Sequence, residues 1–113
     1  LYELTWPAPT NPALGACHGL DIPLVFGNFG HALAGLLIGD PPGDDAVEIS
    51  AQMQAAWTAF ARDGEPGWPP YDEGRRLTRV FDIGERGGIM AYPEEASHRL
   101  WRNVHIGVLD LLS

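Results

Sequence analysis

The residue best suited to chemistry in this chain is His18, which follows a run of small residues at 15–17. Small residues let the backbone turn tightly without a bulky side chain beside the imidazole. Asp21 lies further along, and Pro23 restricts the backbone before an apolar run that reaches Phe26. A histidine takes up and releases a proton near neutral pH, but nucleophilic catalysis also needs a nucleophile and an orienting acid. The pattern therefore predicts a loop that presents one proton-transfer residue or, in the simpler interpretation, a structural histidine bonded to the backbone.

No other residue supplies a convincing nucleophile for His18. None of the serines lies in a Gly-x-Ser-x-Gly turn, which exposes the nucleophile of many hydrolases; they are Ser50, Ser97 and Ser113. Cys17 adjoins His18, but neighbouring side chains in an extended loop point to opposite sides, which argues against a Cys–His pair. Asp21 is expected to cap a turn or to pair with an arginine rather than to orient the imidazole. The chain is thus expected to carry one part of a catalytic site.

Four segments of the chain, in this order, resemble the C-terminal end of the type B carboxylesterases, the ester hydrolases related to bacterial para-nitrobenzyl esterases and to cholinesterases. Residues 2–6 look like the family's last strand before its histidine loop. Gly15-Ala16-Cys17-His18, followed by residues 21–28, resembles that loop. Residues 57–66 and the Trp-Pro-Pro-Tyr-Asp at 68–72 match the next landmarks. Family members are several times longer, and their serine and acid precede the histidine along the chain.

This resemblance implies an α/β fold. It implies a C-terminal fragment of an α/β-hydrolase, with one strand before the histidine loop, a late two-strand hairpin and two main helices. It also implies carboxylic-ester hydrolysis by a Ser-Glu-His triad in which the chain supplies only His18, as general base. The chain alone is then expected to be inactive, and neither a cofactor nor a metal is implied.

Two alternatives to the enzyme stay open. One is a non-catalytic binding or adhesion module that retains a cholinesterase-like scaffold, and the other is a small domain of unrelated function. The presence of His18 in an intact loop favours the enzyme over the module, because a scaffold has no need of the imidazole.

The hydropathy pattern predicts the elements that position His18. Residues 1–31 are predicted as a short strand, with Tyr2, Leu4 and Trp6 on one face, followed by the histidine loop. Residues 32–38 are predicted as a short helix or turn. The rest of the single domain, 1–113, is predicted as a helix at 45–64, two strands within 77–92 and a terminal helix at 93–112.

The helix at 45–64 carries the clearest signals. Asp45 and Glu48 have the spacing of a capping box, and Gly64 stands where a left-handed C-cap belongs. Its predicted core stripe is Ile49, Met53, Ala56, Trp57 and Phe60. In the terminal helix, which Pro93 is expected to open, the stripe is Leu100, Trp101, Val104, Val108 and Leu111.

The remaining histidines and acidic residues lack the spacing of a metal site. His98 and His105 are two turns apart, about 10 Å along a helix, whereas helical zinc ligands favour a spacing of four residues. His31 stands alone, so solvated or capping roles are expected for these histidines. The acidic cluster within residues 40–45 lacks the alternating ligands and closing glutamate of a calcium loop.

The composition fits one small globular domain with an acidic surface. The 113 residues are 45% hydrophobic, and 7 basic against 15 acidic residues give a formal net charge of −8. This charge argues against nucleic acid or an anionic membrane as partner, and no apolar run reaches the ~20 residues of a membrane span. A single cysteine excludes an intrachain disulfide. No signal-peptide pattern is visible and the chain starts at Leu1, so the compartment stays open, with the cytoplasm favoured.

The expected partners are a small-molecule ester and the N-terminal remainder of the parent hydrolase. Without that remainder, strand edges and apolar faces lie uncovered. The isolated chain is therefore expected to bind the missing part, to self-associate or to form a swapped dimer.

Overall fold

A computed structural model describes residues 1–91 and 93–104. Within these ranges the chain forms three strands and four α-helices, so the predicted α/β class is confirmed. The strands are β1 (Tyr2–Leu4), β2 (Leu77–Phe81) and β3 (Gly88–Ala91). The helices are α1 (Asp21–Phe26), α2 (Ala32–Leu37), α3 (Asp44–Asp63) and α4 (Glu95–Trp101), with single 3₁₀ turns at Pro12–Leu14 and Gly84–Arg86. None of the helices in the described ranges is long and apolar enough to cross a membrane.

The strands form one sheet in the order β1-β2-β3. β1 runs parallel to β2, with Glu3 opposite Val80, and β2 forms the predicted antiparallel hairpin with β3. The hairpin connection requires glycine at Gly87, because a Cβ there would collide with the carbonyl oxygen of Asp82. Since β1 and β2 are parallel, their carboxyl ends lie at the same edge of the sheet. The chain continues from this edge towards His18.

The hydrophobic core joins α3, α1 and the sheet. Ile49, Met53 and Ala56 of α3 are buried, as the stripe predicted. Trp57 is half-buried, and its ring centroid lies 6.0 Å from that of Phe81 in β2. The expectation that Phe60 anchors the core is wrong. Phe60 lies in the last turn of α3, beyond the last core residue of that helix, and is exposed.

Helix α3 begins one residue earlier than predicted, and the predicted capping box is wrong. Gly43 is the N-cap residue, and no side chain caps the helix. Asp45 therefore lies inside the first turn, where its charge interacts favourably with the helix dipole. Glu48 instead accepts a hydrogen bond from Nε2 of Gln52 at 3.0 Å. At the other end Gly64 has φ 77°, so the predicted left-handed C-cap is confirmed.

In place of the terminal helix predicted at 93–112, the described residues hold the shorter helix α4, which begins two residues after Pro93 and ends at Trp101. Leu100 and Trp101 are exposed, so this part of the predicted stripe does not enter the core of the described chain. Val104 follows the helix and is also exposed. His105, Val108 and Leu111 lie outside the described residues.

Polar contacts hold α4 near the start of β2. The guanidinium of Arg76 lies 2.8 Å from Oε2 of Glu95 and 2.9 Å from Nδ1 of His98. Arg99 adds an i,i+4 ion pair to Glu95 at 3.2 Å. His98 is thus part of a charged surface contact, and its side chain is half-buried.

Candidate active site

His18 lies in a β-turn between β1 and α1. The N–H of Leu20 donates to the carbonyl oxygen of Cys17 at 3.2 Å, which makes His18 the second residue of the turn. Gly19, the third residue, has φ 80°. A type II turn requires this angle, and glycine adopts it without steric cost. The turn presents the His18 imidazole as an exposed group.

The two side chains of the Cys17–His18 pair have different environments. Cys17 is half-buried and packs against the hydrophobic core, while His18 is exposed. This difference in burial agrees with the expectation that Cys17 and His18 do not form a catalytic pair, although they lie in a turn rather than in an extended loop. The thiol is a core contact, and the imidazole is the surface group.

The orienting acid that a catalytic histidine needs is missing from the described ranges. The imidazole of His18 has no hydrogen-bond partner among the described residues. Within the same ranges the Asp21 side chain neither caps a turn nor pairs with an arginine, so the expectation of one of these two roles is wrong. Asp21 is the first residue of α1, where a carboxylate stabilises the positive end of the helix dipole.

The described serines are also engaged elsewhere. The Ser50 hydroxyl is buried and donates to the carbonyl oxygen of Leu24 at 2.7 Å. The Ser97 hydroxyl donates to Oε2 of Glu94 at 3.1 Å. Ser113 lies outside the described residues. The described chain thus presents a candidate general base without a nucleophile beside it.

Helix α1 was missed by the sequence analysis, which assigned residues 21–28 to the histidine loop. A short apolar run does not distinguish a helix from a buried strand. Pro23 is compatible with the helix because it lies in the first turn, where backbone N–H groups have no intrahelical acceptor. Leu20 and Leu24 are both fully buried in the core. The turn that carries His18 is therefore continuous with a helix seated in the core.

The loop between β1 and His18 is closed by its own hydrogen bonds. The N–H of Ala8 donates to the carbonyl oxygen of Gly15 at 3.0 Å. The Thr10 hydroxyl donates towards the carbonyl oxygens of Leu36 and Leu37 at the end of α2, at 2.7 and 3.0 Å. These contacts fix a segment that the sequence predicted only as an extended loop.

A buried carboxylate joins the carboxyl ends of β1 and β2. Asp82 accepts a hydrogen bond from the Thr5 hydroxyl at 2.8 Å and one from the N–H of Ile83 at 2.7 Å. Arg86 lies 3.0 Å from the same carboxylate, whose side chain is only 5% exposed. Asp82 thereby fixes the point at which the chain leaves β1. An acidic residue directly after an apolar strand is the sequence signal that indicates this role.

The other sequence candidates have structural roles. Nδ1 of His31 accepts the N–H of Leu33 at 3.3 Å and caps α2, so the expected capping role is confirmed. Asp44 and Asp45 lie in the first turn of α3. Among the described residues, no three histidine, cysteine or acidic side chains are grouped as a metal site would require.

Comparison with known proteins identifies the scaffold. No protein-family model matches the chain. The chain is 34% identical over 89 residues to the para-nitrobenzyl esterase of Bacillus subtilis (strain 168), which covers 73% of this chain and 17% of that enzyme. It is 32% identical over 91 residues to the fumonisin B1 esterase of Sphingopyxis macrogoltabida, with 72% of this chain and 17% of the enzyme covered. A solved PNB esterase structure superposes with a TM-score of 0.70 and 29% identity, over 87% of this chain and 20% of the other.

The parallel β1–β2 pair, the turn that follows it and these structural matches define part of an α/β-hydrolase fold. The chain is similar to part of the carboxylesterases, and the resemblance to their C-terminal portion that the sequence indicated is confirmed. The chain spans about one fifth or less of the relatives that it matches.

Proposed function

We propose that this chain supplies His18 as the general base of a serine carboxylesterase. The nucleophilic serine, the orienting glutamate and the oxyanion hole belong to the remainder of the enzyme. The observation that carries the proposal is the placement of His18, exposed on a glycine-dependent turn after the carboxyl end of β1. In α/β sheets, ligands bind outside the carboxyl ends of the strands. The similarity to para-nitrobenzyl esterase supports ester hydrolysis as the reaction.

In the first half of the reaction, His18 takes the proton of the serine hydroxyl as that oxygen attacks the ester carbonyl carbon. The imidazolium then gives this proton to the oxygen of the leaving alcohol, and the acyl group stays on the serine. In the second half, His18 takes a proton from water, whose oxygen attacks the acyl carbon. The proton returns to the serine oxygen, and the carboxylic acid is released. The glutamate stabilises the imidazolium, and backbone N–H groups stabilise the oxyanion.

The remainder of the enzyme is the partner that this proposal requires. Within the described chain β1 lies at the end of the sheet and pairs only with β2. Leu1 and Tyr2 are exposed at this strand. An open strand edge beside exposed apolar side chains is the kind of surface that pairs with further chain. The isolated chain therefore self-associates or binds the missing part, and it has no esterase activity of its own.

The proposal is tested by measuring the hydrolysis of a para-nitrobenzyl ester. One sample is the 113-residue chain alone. The other is a chimeric esterase, in which this chain replaces the matching segment of the Bacillus subtilis para-nitrobenzyl esterase. We expect the chain alone to give the uncatalysed rate and the chimeric esterase to hydrolyse the ester. Catalysis by the chain alone, or a folded chimeric esterase without hydrolysis, would contradict the proposal; the second result would favour a non-catalytic module.

A further inference from the structure

The orientation of the His18 turn depends on α1, which is too short to be stable alone. α1 has 6 residues. Isolated helices shorter than about 12–15 residues are marginal in water, so packing against other elements must hold this one. Leu20, which closes the turn, and Leu24, one helical turn later, are both fully buried. Any displacement of α1 therefore moves the turn that presents His18.

A side chain of α3 binds the carbonyl oxygen near the end of α1. In a continuing helix the N–H of Asn28 would donate to the carbonyl of Leu24, but it donates to that of Pro23 at 3.1 Å. The Leu24 oxygen receives a longer bond of 3.3 Å from the N–H of Gly27. The Ser50 hydroxyl supplies the short bond of 2.7 Å, and Ser50 is only 2% exposed. A buried helix-end carbonyl needs such a partner.

Gln54, one turn further along α3, extends this contact. Its Nε2 donates to the Ser50 oxygen at 2.8 Å, so the hydroxyl accepts one bond while it donates another. Consecutive hydrogen bonds that share a hydroxyl in this way strengthen one another. The Gln54 amide also occupies the space beside Gly27, where a Cβ would lie 2.6 Å from Nε2. The two polar side chains of α3 thus fix the end of α1 from one side.

We propose that Ser50 is a positioning residue for His18, acting through α1, with Gln54 as its support. This inference rests on the proposed function and assigns to α3 a part in the same reaction. Ser50 does not touch the substrate or the imidazole. It sets the position of α1 and of the turn, and general-base catalysis depends on that position. A displacement of about 1 Å in a catalytic group can cost about a hundredfold in rate.

The test compares two buried hydroxyls in the chimeric esterase. Ser50→Ala removes the bond to α1. Thr78→Ala removes a hydroxyl on β2 that is equally buried (2% exposed) and lies 3.4 Å from the carbonyl oxygen of Arg76. At a temperature at which both variants are folded, we expect Ser50→Ala to lower kcat roughly tenfold or more, with KM unchanged. Thr78→Ala should change neither constant.

The outcomes separate this inference from the proposed function. An active, His18-dependent chimeric esterase in which Ser50→Ala and Thr78→Ala have the same kcat would overturn the role of Ser50 alone. An inactive wild-type chimeric esterase would contradict the proposed function instead.

A second measurement needs no activity. In NMR spectra of the chimeric esterase with labelled histidines, Ser50→Ala should shift the imidazole signals of His18 and the amide signals of the turn. Thr78→Ala should leave both in place. His18 signals that stay unshifted in Ser50→Ala would overturn the inference.

Discussion

Cys17 and His18 are adjacent in the chain, yet the Cys17 thiol packs against the hydrophobic core while the His18 imidazole is exposed. The thiol behaves as a small apolar group that anchors the first residue of the turn. Because the thiol packs against the core while the imidazole is exposed, we expect the thiol to take no part in proton transfer.

Replacing Cys17 should therefore affect stability and leave the chemistry intact. We expect Cys17→Ala to lower the free energy of unfolding by about 1 kcal/mol, because it removes a half-buried atom from the core. The kcat of the chimeric esterase should be unchanged. Denaturant unfolding of the chain and ester hydrolysis by the chimeric esterase measure the two quantities. A loss of hydrolysis without a loss of stability would place the thiol in the reaction and contradict this account.

Gly27 and Gly64 both have positive φ, at 61° and 77°, but differ in their surroundings. Each substitution by alanine should cost about 1 kcal/mol through the left-handed backbone conformation. At Gly27 the new Cβ also displaces Gln54 from Ser50, whereas nothing lies within 4 Å of a Cβ at Gly64. Gly27→Ala should therefore destabilise the chain more than Gly64→Ala does.

A Gln54→Ala background provides the control for this difference. Without the Gln54 amide, the two glycine substitutions should cost the same free energy of unfolding. If Gly27→Ala remained the costlier change in that background, contact with Gln54 would not be its cause.

Two aspartates, each with hydrogen-bond donors and an arginine partner, allow the effect of burial to be measured. Asp82 accepts hydrogen bonds from Thr5 and Ile83 and forms an ion pair with Arg86. Asp72 accepts from the N–H of Gly74 and from the N–H and Nε of Arg75. The Asp82 side chain is 5% exposed and that of Asp72 is 42% exposed.

We expect Asp82→Ala to cost about 3 kcal/mol of unfolding free energy, because two partly buried donors, the Thr5 hydroxyl and the Ile83 N–H, lose their acceptor. Asp72→Ala should cost about 1 kcal/mol or less, since water replaces the lost acceptor there. Chemical denaturation of both variants provides the comparison. Equal losses would show that Asp82 does not fix the edge of the sheet.

The pair Glu3 and Glu94 predicts a pH dependence of stability. Burial raises the pKa of Glu3 above its ordinary value of 4.5, and the nearby carboxyl of Glu94 raises it further. The fold therefore favours the protonated form. The stabilising contribution is complete below pH 4.5 and is lost as the pH rises through the pKa of the folded chain. Glu3→Gln keeps the neutral form, so it should raise the Tm at pH 7 and leave it unchanged below pH 4.5.

Glu95→Gln is the matched substitution, with an expected change in Tm at pH 7 of the opposite sign. A hydrogen bond from Arg99, helped by the charge of Arg76, lowers the pKa of Glu95 from its ordinary value of 4.5. Its contribution is present above pH 4.5 and is lost as the pH falls through the lowered pKa. Glu95→Gln should therefore lower the Tm at pH 7. Thermal unfolding at pH 7 and below pH 4.5 measures both effects. If Glu3→Gln also lowered the Tm at pH 7, the account would be contradicted.

The periodicity of the sequence was sufficient to predict those elements whose signals are local. The stripe of α3, its Gly64 cap and the β2–β3 hairpin follow from spacing and turn residues. Helix α1 could not be predicted in this way, because a short apolar run containing a proline has no distinctive period. Phe60 has the correct spacing for the stripe but lies beyond the core residues of α3, and no local pattern reports where a core ends.

In the candidate site, too, some features have local sequence signals and others do not. His18 could be selected from the sequence because the glycines and small residues around it are its immediate neighbours. The contacts that hold the elements on either side of it join residues far apart in the chain, with Ser50 26 residues from Leu24 and Asp82 77 residues from Thr5. A single sequence carries no signal for such pairings. The nucleophile and the acid of the proposed triad are not expected within this chain at all.

The most direct test of the central claim is the kcat/KM of the chimeric esterase for a para-nitrobenzyl ester, with His18→Ala compared with His31→Ala. Both histidines are exposed, but His31 only caps α2. We expect His18→Ala to lower kcat/KM by at least about a hundredfold, because general-base catalysis is lost, and His31→Ala to leave it unchanged. Near-normal hydrolysis by the His18→Ala enzyme would contradict the assignment of His18 as the general base.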